Sequence, residues 1–209
     1  MKTRSIILIV IISVVLMALL LGAYYYSTSA RRTALAPNIR LQALLLHTSG
    51  TLAIEARSRA NGCEARGPLP DHACTPGSIF TDATVADICV PGYTQNVRSV
   101  SVAMKARVYG EYGLPYPQER GAYEADHLVP LELGGNNDIA NLFPEAARPA
   151  PGFREKDLVE NYLHEEVCAG NIGLASAQKQ IANDWVAVYR MLTPDELAAL
   201  KGEFASWAH

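Results

Sequence analysis

Hydrophobic residues recur every three or four positions along the C-terminal half of the chain, a spacing typical of amphipathic helices. Val159, Leu163 and Val167 form one apolar stripe, and we predict a helix over residues 154–168. Lys156, Glu160 and His164 are also spaced by four and share an adjacent face of this helix. The sequence therefore predicts a helix with one buried apolar face and one face of ionisable side chains.

Three further helices follow from similar patterns. Residues 175–191 form an amphipathic helix with four buried positions: Ala177, Ile181, Trp185 and Val188. A last helix begins at Thr193-Pro194-Asp195-Glu196, which combines a capping box with proline in the first turn. Residues 97–112 are predicted to be helical, with Val102, Ala106 and Tyr109 on one face.

The N-terminus has a different pattern, an apolar run over residues 6–23 preceded by Lys2 and Arg4. Such a run is long enough to span a bilayer, and the tyrosines at 24–26 suit a membrane interface. We favour an uncleaved single-pass anchor over a signal peptide cleaved near Ala30. Both interpretations place the rest of the chain outside the cytoplasm, on the periplasmic or extracellular side or in secreted form.

Cysteine usage agrees with export. The four cysteines are Cys63, Cys74, Cys89 and Cys168, an even number without CxxC spacing, which favours two disulfides in an oxidising compartment. Three pairings are open. A bridge from the region of residues 74–89 to Cys168 would attach the predicted helix to the preceding segment.

The chain length and the positions of glycine and proline residues predict the domain organisation. The 209 residues suit one domain plus an export segment. We assign residues 1–30 to the anchor or signal, 31–70 to a juxtamembrane stalk and linker, and 71–209 to the folded domain. The expected fold class is α+β, mostly helical around one small hairpin.

That hairpin is predicted within residues 123–168. Extended residues 127–131 lead into a turn at 134–137, and a returning strand at 141–143 ends before Pro144. This path would bring the side-chain carbonyl of Asn141 beside the His127 ring and so set the tautomer of His127.

These residues resemble the HNH family of ββα-metal endonucleases. The resemblance runs over residues 74–185, about half of the chain, and rests on the segments CTPG, ICVPGYT, YEADHLVPLELGG, NLFPE and KDLVENYLHEEVCAG. It implies a hairpin and a following helix around one divalent metal ion. By the same resemblance His127 is the general base, Asp126 a metal ligand and Asn141 the amide that orients water.

The chain departs from the common family pattern in two respects. It has no CxxC pair, so a structural zinc ion is not expected. The remaining metal ligand lies beyond a proline-rich loop, and Glu160 and His164 stay open as alternatives. Glu160 could instead pair with Lys156, and His164 could complement the helix dipole.

The function implied is metal-dependent hydrolysis of phosphodiester bonds in DNA or RNA. Oxygen ligands favour Mg²⁺, with Mn²⁺ or Zn²⁺ as alternatives. Beyond Lys2 and Arg4, 16 basic residues face 21 acidic ones, so nucleic acid binding should be weak and independent of sequence. Arg148, Arg154 and Lys156 are the candidate phosphate contacts.

The alternative function is a non-catalytic, envelope-anchored module that keeps an HNH-like hairpin as a scaffold or metal-binding staple. The sequence indicates no protein partner. The only other partner expected is the membrane, through residues 6–23.

Overall fold

The computed structural model describes residues 56–203 together with Met17. The predicted anchor or signal at 1–30, apart from Met17, and the stalk up to residue 55 lie outside the described residues. The chain divides into two compact units, Met1–Ser49 and Gly50–His209. Within the described part, no helix is both long enough and apolar enough to cross a membrane.

Residues 56–203 have an α+β fold, as predicted. Two short helices, α1 (Val85–Ile88) and α2 (Tyr93–Val97), precede α3 (Val102–Glu111). Strands β1 (Tyr123–His127) and β2 (Leu142–Ala146) form an antiparallel two-stranded sheet. Helices α4 (Phe153–Cys168), α5 (Leu174–Met191) and α6 (Pro194–Glu203) complete the unit.

The strands of the hairpin differ from the predicted ones. Asp126 pairs with Phe143 and His127 with Leu142, so His127 ends β1 instead of beginning a strand. Pro144 lies inside β2 opposite Ala125 and does not end it. Proline is tolerated there because β2 has only one strand beside it and its other edge needs no ladder donor.

The connection between the strands is a compact loop with two short 3₁₀ turns, Leu131–Leu133 and Ile139–Asn141. Gly134 has φ of 75°, in the left-handed region that favours glycine. Gly135 meets a steric limit instead, because a Cβ on it would lie 1.8 Å from the carbonyl oxygen of Val129. The double glycine is therefore required by this loop.

The core lies where α4 packs on α5. The stripe of Val159, Leu163 and Val167 is buried, as are all four residues predicted for the second helix: Ala177, Ile181, Trp185 and Val188. Helix α5 is interrupted at Asp184, whose Oδ1 accepts from the backbone N of Ala187 and caps the second half. The capping box before α6 is confirmed by reciprocal hydrogen bonds between Thr193 and Glu196.

The predicted helix over residues 97–112 is wrong in its first turn. Helix α2 ends at Val97, and α3 begins only at Val102. The Ser101 hydroxyl accepts a hydrogen bond from the backbone N of Met104 and so acts as an N-cap. Of the three residues predicted to share one face, Tyr109 is buried, whereas Val102 and Ala106 are exposed.

Both disulfides are present, with pairs Cys63–Cys74 and Cys89–Cys168. The second attaches the end of α4 to the residue after α1. Residues before position 71 also belong to the folded unit, since Arg57 forms an ion pair with Glu111 of α3. The domain therefore begins earlier than the predicted boundary at residue 71.

The steric limit at Gly135 predicts a large loss of stability for Gly135→Ala. We expect the free energy of unfolding of the full chain to fall by about 3 kcal/mol or more, because the loop must move to relieve the clash. Gly110→Ala in α3 is the matched control: nothing lies within 4 Å of its added Cβ, so it should gain about 0.5–1 kcal/mol. Urea unfolding curves measure both, and similar midpoints for the two variants would contradict this account of the loop.

Candidate active site

The candidate site lies where β1 ends against helix α4. His127 and Asp126 are adjacent in sequence, and the backbone N of His127 donates to Asp126 Oδ1 at 2.8 Å. His127 is buried, whereas 18 % of the Asp126 side chain is exposed. The Asp-His pair therefore brings one carboxylate to the surface and holds an imidazole just beneath it.

Lys156 of α4 holds this strand end in place. Its side chain is completely buried, and Nζ donates to Asp126 Oδ2 at 2.8 Å and to the backbone O of His127 at 2.7 Å. It also donates to Glu160, one turn further along α4. With these acceptors around it, the pKa of Lys156 is raised well above its usual value despite burial, so the amine is charged.

Glu145 of β2 is the second acid beneath this lysine. Its Oε2 lies 4.0 Å from Lys156 Nζ, and as a carboxylate neither of its buried oxygens has a hydrogen-bond donor. Burial raises its pKa well above the usual value, and in its protonated form Glu145 would donate to Asp126. Burial alone would raise the pKa of Asp126, but Lys156 and this hydrogen bond lower it to about 2.

The His127 ring contacts Asn137, which lies in the loop between the strands. Its Nε2 is 3.2 Å from Asn137 Oδ1. The orientation of this amide is set from both sides, because its Nδ2 donates to the backbone O of Val97 and its Oδ1 accepts from the backbone N of Ser99. An acceptor therefore faces Nε2, which must carry the proton, and the lone pair of a neutral ring lies on Nδ1.

His127 is neutral over the physiological range. Burial lowers its pKa to about 4, against the opposing charge of Asp126 and with a further lowering from Arg98. Within residues 56–203, Nδ1 makes no hydrogen bond, so this nitrogen is available to a ligand or a water molecule.

Asn141 does not take the predicted place beside His127. Its side chain is buried and holds the loop together: Oδ1 accepts from the backbone N of Val129 and Ser78, and Nδ2 donates to the backbone O of Val129 and Asn136. The amide is saturated by backbone groups and cannot also orient a water molecule. The predicted contact is made by Asn137.

Acidic side chains are concentrated around Asp126. Burial raises the pKa of Asp157 to about 7, with the Asp126 charge adding to the effect. Burial also raises the pKa of Glu132, and that of Glu160 well above its usual value. Lys156 is the cation common to this group, and its charge does not offset the cost of burying these carboxyl groups in ionised form.

The predicted metal ligands are not all brought together. Glu160 shares Lys156 with Asp126, whereas His164 lies two turns along α4 from Lys156, about 12 Å at the usual helical rise. There His164 Nε2 is 3.4 Å from Cys168 Sγ and 3.1 Å from the backbone O of Ile88. Of the two open alternatives, Glu160 therefore lies beside Asp126 and His164 does not.

The donors near Asp126 suit a hard cation. They are carboxylate oxygens, and Asp126 is partly exposed and keeps a free lone pair beyond its hydrogen bonds with His127, Lys156 and Glu145. They are not preassembled: within residues 56–203, the one group of three or more metal-ligating residues whose ligand atoms all lie within 4.8 Å of one another is Cys89, His164 and Cys168. Binding a cation at Asp126 would require the neighbouring carboxyl groups to turn towards it.

The predicted phosphate contacts divide into two groups. Arg148 and Arg154 are exposed, and the Arg154 guanidinium lies 4.6 Å from the centre of the Phe153 ring. Lys156 is wrong as a phosphate contact, because its ammonium is buried and saturated by internal acceptors. Arg98 is an exposed cation that sequence reasoning missed, and its charge acts on both His127 and Glu132.

Asn137 and Glu145 were also missed. Asn137 follows the double glycine in GGNN, where an amide is explained equally well by a turn. Glu145 is the last residue of the segment NLFPE. It alternates with Phe143 along β2, and Phe143 pairs with Asp126, so the two-residue period of a strand places Glu145 on the same face of the hairpin as Asp126.

In comparisons with known proteins, the chain matches no family model, no curated protein and no solved structure.

The buried cation predicts the effect of Lys156→Met. Removing it leaves Asp126 and Glu160 without their shared partner, and we expect a loss of about 3–5 kcal/mol in the free energy of unfolding at pH 8. The raised pKa of Glu160 gives the sign of the pH dependence: its carboxyl group takes up a proton as the pH falls, so less unpaired charge remains at pH 5 and the loss should be smaller. Lys201→Met, at an exposed position in α6, is the control and should change stability little at either pH. Chemical denaturation at both pH values measures this, and a loss independent of pH would argue against the charge network.

Proposed function

We propose that this protein is a metal-dependent endonuclease of the HNH-like, ββα-metal kind, which hydrolyses phosphodiester bonds of DNA. The observation that carries the proposal is the neutral His127 at the end of β1, with its tautomer set by Asn137 and the Asp126 carboxylate beside it. A hairpin followed by a helix that packs on it is the arrangement expected from the sequence resemblance. RNA is the alternative substrate, because its phosphodiester bonds can be hydrolysed in the same way.

In this proposal His127 is the general base. Its Nδ1 accepts a proton from the attacking water, while the new bond from water oxygen to phosphorus forms and the bond to the leaving oxygen breaks. The ring becomes a cation in this step, and the adjacent Asp126 carboxylate stabilises it. Asn137 is a positioning residue, because it holds the proton on Nε2 and leaves Nδ1 free.

Asp126 is the primary candidate ligand for one divalent cation, with Glu160 and Asp157 as the nearest further oxygen donors. When bound, Mg²⁺, or Mn²⁺ in its place, would neutralise phosphate charge and stabilise the leaving oxygen. The raised carboxyl pKa values mean that such an ion would have to displace protons from these groups, so its binding should strengthen as the pH rises. Zn²⁺ suits this oxygen-rich set less well.

Substrate binding is expected to be weak and independent of sequence. A cluster of acids repels phosphate, and the exposed cations nearby are Arg98, Arg148 and Arg154. The cation at Asp126 would therefore be needed for substrate to approach His127. Removal of divalent metal by a chelator should abolish both DNA binding and cleavage.

We place this activity outside the cytoplasm. Two disulfides support an oxidising compartment, and the apolar run at residues 6–23 supports export as an anchor or a signal. In such a compartment the bridge between Cys89 and Cys168 would staple the end of α4, in place of a structural zinc ion.

The direct test is cleavage of plasmid DNA by the purified full chain with Mg²⁺, Mn²⁺ or Zn²⁺. His127→Ala should reduce the rate about 10²- to 10⁴-fold, because it removes the base. His72→Ala is the matched control, since His72 is exposed and separate from the site. Circular dichroism and thermal unfolding of both variants check that the fold survives.

Two outcomes would count against the proposal. If His127→Ala cut DNA at the wild-type rate, the base would be wrongly assigned. If the wild-type chain cut neither DNA nor RNA with any of the three metals, the function would be that of a non-catalytic envelope module that keeps the hairpin as a scaffold.

Asn137→Ala tests the positioning role. Without the amide, the Nε2 proton is no longer held and the ring samples its other tautomer, so kcat should fall about 10-fold or more while KM changes little. Asn183→Ala, at an exposed position in α5, is the control. A purely structural role would instead lower the melting temperature and leave kcat of the folded fraction unchanged.

A further inference from the structure

A second cluster of metal-ligating side chains lies at the far end of α4. It consists of Cys89, after α1, and of His164 and Cys168 on α4. The two sulfurs form a disulfide, and His164 Nε2 lies 3.4 Å from Cys168 Sγ. All three ligand atoms are within 4.8 Å of one another, a spacing that one small cation can bridge.

We propose that this cluster is a second metal site, which takes Zn²⁺ or a similar thiolate-binding cation when the Cys89–Cys168 bond is reduced. Two thiolates and one imidazole are a common zinc ligand set, and three protein ligands leave one position of a tetrahedron for water. The disulfide and the metal site are alternative states of the same three residues. Each state joins the residue after α1 to the end of α4.

The change of state is a balanced reaction with a dithiol reductant. The dithiol transfers two electrons and two protons to the Cys89–Cys168 bond, which breaks into two thiols while the reductant forms its own disulfide. Zn²⁺ then displaces one proton from each thiol as two metal–sulfur bonds form. The third bond is formed by the lone pair of His164 Nε2.

His164 is already close to the geometry that this site needs. Its Nε2 faces both Cys168 Sγ and the backbone O of Ile88, at 3.4 and 3.1 Å. Metal binding requires the tautomer with the proton on Nδ1, so the interaction with Ile88 is given up. One neutral hydrogen bond is a small loss against three bonds to the metal.

The cluster is accessible and differs from the other disulfide. Cys168 is exposed, and Cys89 and His164 are half-buried, so a reductant and an ion can reach them. Cys63 and Cys74 are buried, and they form no such group with a third ligand within residues 56–203. Cys63 and Cys74 therefore serve as an internal control for the proposed site. This site is also separate from Asp126, so the proposal does not depend on nuclease activity.

The test uses the full chain, reduced with dithiothreitol, desalted without oxygen and titrated with Co²⁺ and Zn²⁺. We expect one Co²⁺ per chain with thiolate-to-cobalt charge-transfer absorption, displaced by one Zn²⁺. The oxidised chain should show no such absorption. His164→Ala should weaken Zn²⁺ binding at least about 100-fold, whereas His72→Ala, beside the other cysteine pair, should leave it unchanged.

Thiol protection keeps the test decisive if reduction unfolds the chain. The chain is reduced with Zn²⁺ present and alkylated with iodoacetamide, and each cysteine is scored by mass spectrometry. Protection of Cys89 and Cys168 that rises when Zn²⁺ is present, without the same rise at Cys63 and Cys74, supports the site. Protection of Cys89 and Cys168 that is unchanged by Zn²⁺, absence of stoichiometric binding, or unchanged affinity in His164→Ala would overturn it.

Discussion

The buried ammonium of Lys156 joins the hairpin to the helix. It donates to the Asp126 side chain and the His127 carbonyl on β1, and to Glu160 on its own helix. An unpaired charge at this depth would be strongly destabilising, so strand and helix must approach until these acceptors are within reach. The position of His127 relative to α4, and hence the geometry of the candidate site, follows from this one constraint.

The single positive charge of Lys156 does not balance the acidic side chains around it. Asp126 is the acid that keeps its charge, while burial and mutual repulsion raise the pKa of Glu145, Glu160 and Asp157. Groups with strongly shifted pKa values are concentrated at functional sites because catalysis needs pKa values matched to its task, although structural ion-pair networks shift them too. Here the excess of acids and the neutral imidazole are the features that distinguish this corner of the fold from an ordinary buried ion pair.

The two ends of α4 carry different chemistry. At its beginning, Lys156 and Glu160 contribute oxygen and ammonium groups to the hairpin, and at its end His164 and Cys168 lie among sulfur ligands. The regular spacing of Lys156, Glu160 and His164 placed them on one helical face, which was correct. Whether residues on one face share one site depends on distance along the axis and on what packs against each turn, and periodicity contains neither.

The sequence by itself determined the class of fold, the main helices and the presence of two disulfides, because helical periodicity, capping and paired cysteines are local or compositional signals. It also indicated the Asp126-His127 pair. Only the tertiary structure decided that Asn137, and not Asn141, faces His127. Both amides belong to the same loop, and their roles depend on backbone groups at residues 78, 97 and 99, whose distance in sequence no local pattern can encode.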